Sequence, residues 1–141
     1  MKTLDAFVAL HYTTYPVATA CKPSRIYVAG ALSGGSTAKA RTPSKVVCDY
    51  ITNLHRMISM GALLRKKGYC PYIPGLDLLV GMVWGNFNEE DYRGMGMSFL
   101  DVCDAVLVIS MSSGVQREVD RARKLGIPVY YTIAQLEEAS S

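Results

Sequence analysis

Apolar positions along this chain fall into two rhythms. Two unbroken apolar runs, RIYVAG (25–30) and DAVLVIS (104–110), have the length and β-branched character of strands buried on both faces, the second of them central. Shorter apolar runs, YCPYI (69–73) and IPVYY (127–131), add two more strands. Pro71 confines the first of these to a strand start or an edge, and Pro74 and Gly75 stop it. Between the strands the rhythm becomes helical. Val47, Tyr50, Ile51, Leu54, Met57, Ile58, Gly61 and Ala62 recur at helical spacing, predicting a long helix from an N-cap at Ser44 to about Lys67, closed by Gly68. Residues 89–102 predict a second helix, weakened at Gly94 and Gly96 by about 1 kcal/mol each relative to alanine. A third starts just after Gly114, and IAQLEEA predicts a short terminal one. The segment LDLLVGMVWGNF (76–87) fits a core helix or, given Gly81 and Gly85, a mobile apolar flap.

Strands alternating with helices give an α/β domain, a parallel sheet flanked by helices on both faces. Ligands of such sheets bind at the carboxyl ends of the strands, where the strand order reverses. Three loops are expected at that edge: 30–43, 74–88 and 111–114. The helix after Gly114 carries an anomaly there. Val115, Val119, Ala122 and Leu125 form its apolar stripe, and Glu118 falls inside it. A carboxylate in that position is costly unless paired or put to use. Either it accepts a hydrogen bond in a tight interface, or it points into the crevice and acts there.

Composition narrows the choices. A chain of 141 residues, half of them hydrophobic, forms one core, taken as residues 25–141 with residues 1–24 as a non-core extension. Asp5, His11 and several Thr and Tyr interrupt any signal-peptide core in that extension. No run reaches transmembrane length. The net charge of +3 is too small for a nucleic-acid binder, yet no acidic residue lies between Asp5 and Asp49, an interval holding Lys22, Arg25, Lys39, Arg41 and Lys45. That excess suits a small phosphate, or else a solvated basic loop. Cys21, Cys48, Cys70 and Cys103 lack metal-ligand spacing, and His11 and His55 form no pair, so no metal site is expected. Cys48, Cys70 and Cys103 lie in or beside apolar segments and are expected as buried reduced thiols of a cytoplasmic protein. Asp104 is expected as a structural cap and Asp101 in solvent.

The succession IYVAGALSGG, long helix, PYIP, LDVCDAVLVI and SSGVQREVDRARKLGIPVYY resembles the nucleoside 2-deoxyribosyltransferase-like superfamily, which includes 2'-deoxynucleoside 5'-phosphate N-hydrolases. The likeness covers roughly residues 25–133. It implies a Rossmann-like fold, no cofactor, and a homodimer or higher homo-oligomer with the site near the subunit boundary. It further implies that Glu118 is the nucleophile that attacks the anomeric carbon, aimed by a hydrogen bond from Tyr27. Transferases of the family carry an Asp where this chain has Ser112, whereas the N-hydrolases carry a serine that contacts the 5'-phosphate. Gly30, Ser33, Gly34, Gly35 and Gly114 would join Ser112 in holding a nucleotide. The family's usual second acid falls at Gly96, which leaves Asp91 as the substitute proton donor. Trp84, Phe87 and Tyr92 offer surfaces on which a base could stack, or are core or interface residues. Three functions follow as alternatives: a nucleotide N-glycosidase, a nucleoside deoxyribosyltransferase, and a degenerate relative that binds a nucleotide without cleaving it.

Overall fold

The computed structural model describes residues 24–33, 42–85 and 87–141. The proposed extension up to residue 23, together with Gly34, Gly35, Lys39 and Arg41, lies outside the described residues. Four strands pair in parallel: β1 (Arg25–Ala29), β2 (Cys70–Tyr72), β3 (Ala105–Val108) and β4 (Val129–Tyr130), in the order β2-β1-β3-β4. Helices α1 (Pro43–Lys66), α2 (Asp77–Trp84), α3 (Glu89–Leu100), α4 (Ser113–Lys124) and α5 (Ile133–Ser140) connect or follow them. The protein is therefore an α/β fold with a Rossmann-like parallel sheet.

Strand alternation divides the core in two, because successive side chains point to opposite faces. Ile26, Val28, Ala105 and Leu107 pack against Met57 and Leu64 of α1 and Leu136 of α5. Tyr27, Ala29, Val106 and Val108 face the other way, onto Leu100 of α3 and Val115, Val119 and Ala122 of α4. The chain leaves β1 toward β2 and leaves β3 toward β4. The order therefore reverses between the two central strands, at the carboxyl edge where a ligand crevice forms. At the opposite edge Asp104 clamps those strands together. It accepts from the Arg25 backbone N–H at 2.7 Å and pairs with the Arg25 guanidinium at 2.9 Å.

Several boundaries differ from expectation, each for a local reason. Thr42, not Ser44, caps α1 by accepting from the Lys45 N–H at 3.3 Å, and the proline that follows it occupies the first helical position. The N-terminal half of α1 has no buried residue, so Val47 and Ile51 are 56% and 61% exposed and Cys48 is exposed rather than buried. Cys103 is buried, and burial pushes its thiol up to about 11. Leu125 belongs to the C-cap of α4 and is exposed, outside the apolar stripe. The 76–87 segment forms a short 3-10 turn, Pro74–Leu76, and then α2, which contains no buried residue and so is not a core helix. Asp101 is exposed, as expected, and is held in an ion pair by Arg121. No helix among the described residues is long and apolar enough to cross a membrane.

Candidate active site

Tyr27 is the central residue of β1 and is fully buried, yet its hydroxyl reaches a partner: it donates to Glu118 Oε1 at 2.8 Å. The bond spans two elements. Glu118 sits in the second turn of α4, on the side that packs against Tyr27, so the carboxylate in the apolar stripe meets the tyrosine hydroxyl of the strand beneath it. The Tyr27 ring packs on Tyr72 with centroids 5.6 Å apart, and Tyr72 stacks on Phe99 at 4.3 Å. Tyr72 in turn donates to Asp77 Oδ2 at 2.7 Å. A chain of aromatic rings thus holds the Tyr27 hydroxyl in place.

The Glu118 carboxyl is raised above the ordinary carboxylate range, chiefly because burial disfavours its charge; the Tyr27 hydrogen bond and the nearby Arg117 charge partly oppose this. Tyr27 is raised much further, by burial first and then by the neighbouring carboxylate, so its proton stays on the phenol and the phenol is the donor. Gly96 completes the arrangement from α3. A Cβ there would lie 3.0 Å from the Tyr27 hydroxyl oxygen. The backbone of α3 at Gly96 is thus close against the tyrosine hydroxyl.

Above this pair lies a cavity of about 510 Å³ at the carboxyl edge of the sheet. Tyr27, Gly30, Ser33, Ser112, Gly114 and Glu118 line it, which brings together six of the residues singled out from the sequence. Gly30 lets β1 end there, since a Cβ would meet Ile109 at 2.9 Å. Ser112 is the N-cap of α4, accepting from the Val115 N–H at 3.2 Å, and its O–H remains available to donate into the cavity.

Two expectations do not hold as placed. Asp91 does not line the cavity: its carboxylate accepts from the Asn88 N–H at 2.8 Å while Asn88 Oδ1 accepts from Asp91 N, a reciprocal cap at the start of α3. Trp84 is 81% exposed at the end of α2 and is also absent from the lining. From α3 the cavity is lined by Tyr92, Gly96 and Met97, with the exposed side chains of Glu89 and Arg93 at its rim. Glu89 pairs with Arg93 at 2.7 Å. Tyr50 of α1 and Arg117 of α4 add a phenol and a cation to the cavity. Among the described residues no group of three or more His, Cys, Asp or Glu comes together as a metal set.

In chemical terms the cavity offers a half-buried, oriented carboxylate, two arginines and the hydroxyl and N–H groups at the start of α4. That combination can place an anion beneath an electron-deficient carbon and hold a second anion alongside. Compared with known proteins, the chain matches no family model, and no curated protein gives a significant match.

Proposed function

We propose that the protein cleaves the N-glycosidic bond of a nucleoside 5'-monophosphate, preferably a deoxynucleotide, with Glu118 as nucleophile. One observation carries this reading: the 2.8 Å hydrogen bond from buried Tyr27 to Glu118 at the base of the cavity. A glutamate held in an apolar stripe with one oxygen fixed by a phenol has its other oxygen to present to an anomeric carbon. Its negative charge matches an oxocarbenium-like transition state. The carboxylate oxygen bonds to C1' as the C1'–N bond breaks. The bond electrons stay on the base, which takes up a proton, and water then hydrolyses the glycosyl ester to free sugar phosphate and Glu118. Glu89, at the rim with its side chain 84% exposed, is the other carboxyl group among the described lining residues and the candidate to deliver that proton, in place of Asp91. A 2'-hydroxyl would crowd the sugar and destabilise the oxocarbenium-like state, hence the deoxy preference.

The 5'-phosphate is assigned to Ser112, Gly114 and the N–H groups that open α4, with Ser33 opposite and Arg117 nearby. A monophosphate is expected to bind at least tenfold more tightly than its nucleoside in calorimetric titration. Equal affinities would return the reading to a nucleoside deoxyribosyltransferase. The ion pair that engages Glu89 with Arg93 favours a second reading, a nucleotide-binding protein without turnover. A panel of ribo- and deoxyribonucleoside monophosphates separates the two: free base by chromatography supports the enzyme, and a tightly held intact nucleotide with no base released supports the binder.

A homodimer belongs to the same proposal. Val47, Ile51, Leu54 and Ile58 follow each other on α1 at spacings of four and three, a seam suited to a second helix, and three of them are exposed. Sedimentation equilibrium at micromolar concentration is expected to give twice the chain mass, shifted to the monomer by Ile51→Glu; a wild-type monomer would refute the assembly. The thiols and the absence of a spanning helix among the described residues agree with a cytoplasmic setting.

A further inference from the structure

A second cavity, also about 510 Å³, lies on the opposite face of the sheet, between α1 and the end of β3. Met60, Leu63 and Ile109 form its apolar part, and Arg56 and His55 bring an arginine cation and an imidazole to it. No Asp or Glu is among its described lining residues. Two further lining side chains are already engaged with the loop that follows β1. Asn53 Nδ2 donates to the Leu32 carbonyl at 3.0 Å, and Ser110 Oγ accepts from the Ala31 N–H at 2.9 Å. On its other side the same loop presents Gly30, Leu32 and Ser33 to the cavity above Glu118. Residues 30–33 thus help line the first cavity and are clamped by two side chains that line the second.

We infer that the second cavity binds a small anion carrying an apolar body, such as an aromatic phosphate or carboxylate, and that its occupancy moves the residue 30–33 loop of the Glu118 cavity. The anion meets Arg56 in a charge-assisted contact, and the apolar body covers Met60, Leu63 and Ile109. Asn53 keeps the second N–H of its amide and Ser110 a hydroxyl proton with which to meet the anion. Engaging them changes the geometry of the two bonds that clamp Ala31 and Leu32. A ligand that favours one arrangement of this clamp shifts the loop toward it.

Phenyl phosphate tests this with the full chain labelled for amide NMR. Saturable shifts are expected at Arg56, Met60 and Ile109, together with Gly30 and Ser33. Phenol and inorganic phosphate, each alone, are expected to bind at least tenfold more weakly, because each lacks one half of the match. Arg56 is exposed, so Arg56→Ala keeps the fold and is expected to weaken phenyl phosphate at least tenfold. Combining Asn53→Ala with Ser110→Ala is expected to preserve the shifts at Ile109 and remove those at Gly30 and Ser33. Shifts confined to residues 112–118, no saturation at Ile109, equal binding of inorganic phosphate, or unchanged affinity in Arg56→Ala would overturn the site. A response at Ile109 without one at Gly30 or Ser33, or a response at Gly30 and Ser33 that survives the double substitution, would overturn the coupling. All of these are binding readouts, independent of any chemistry at Glu118.

Discussion

Replacing Glu118 with glutamine is expected to abolish base release and, at neutral pH, to raise the melting temperature. Both effects come from the same carboxylate. In the proposed reaction it is the nucleophile that bonds to C1', a role glutamine cannot take, so the rate should fall at least about a thousandfold, or about 4 kcal/mol of barrier. Residual activity within about tenfold of wild type would remove Glu118 from that role. Stability moves the other way because the Glu118 carboxyl is raised above its ordinary range in the fold, mainly by burial. Below the ordinary value the group is protonated in both the folded and unfolded chain, and its ionisation contributes nothing. As pH rises from the ordinary value through the raised one, the unfolded chain gives up the proton first, and the wild type loses stability across that window. Glutamine has no such proton, and its amide oxygen still accepts from Tyr27. The two proteins should melt together in acid and diverge as pH rises, glutamine gaining a few degrees at about 2–4 °C per kcal/mol for a chain of this size. A melting difference that is the same at pH 4 and pH 8 would show that the carboxylate is not strained by its burial.

The opposite signs separate function from architecture. A glutamate kept only to tie α4 to β1 would be expected to stabilise what it ties. This one is held where its ionised form is disfavoured, and the Tyr27 hydrogen bond and Arg117 only partly offset the cost. Local expense of this kind is characteristic of residues retained for what they do.

The central strands and the anomalous place of Glu118 were legible in the sequence because their signals are local and strong, whereas Tyr27 as its partner followed only from the family resemblance. A continuous apolar run identifies β1 and β3, and a carboxylate in an otherwise apolar stripe marks α4. The three loops that meet at the carboxyl edge follow from the alternating order alone. What stayed hidden depends on competition between equivalent residues. Glu89, Glu90 and Asp91 are adjacent carboxylates at the start of one helix, and the sequence argument picked Asp91 by its distance from Gly96. The Asn88-x-x-Asp91 spacing is itself a capping pattern, which removes Asp91 from the cavity and leaves Glu89 at its rim. Trp84 left its alternatives open in the sequence, a stacking surface or a core or interface residue; α2 buries none of its residues, which excludes the core and leaves an apolar surface to be covered. The same holds for the first half of α1, whose apolar spacing correctly predicted the helix and gave no sign that the sheet stops short of it.

Gly96 and Gly94 provide the sharpest test of the site's geometry, since they lie in one helix, two residues apart, in opposite environments. A Cβ at Gly94 meets nothing within 4 Å, whereas one at Gly96 lies 3.0 Å from the Tyr27 hydroxyl. Gly94→Val removes a weak helix residue on an exposed face, so its stability should change by less than about 1 kcal/mol and its activity should persist. Gly96→Val puts a branched side chain against the hydroxyl of a tyrosine whose ring is fully buried and packed on Tyr72. Overpacking of this kind costs about 1–3 kcal/mol, corresponding to a melting temperature lower by roughly 3–10 °C. The hydroxyl would be driven off Glu118, and without that donor the carboxyl moves further above its ordinary range, because the Tyr27 hydrogen bond is one of the two influences that lower it. The acid limb of the pH–rate profile in Gly96→Val should therefore shift to higher pH, as in Tyr27→Phe, while that of Gly94→Val stays with wild type. Matching pH profiles for the two glycine variants would mean that the Tyr27 hydroxyl does not control the Glu118 carboxylate.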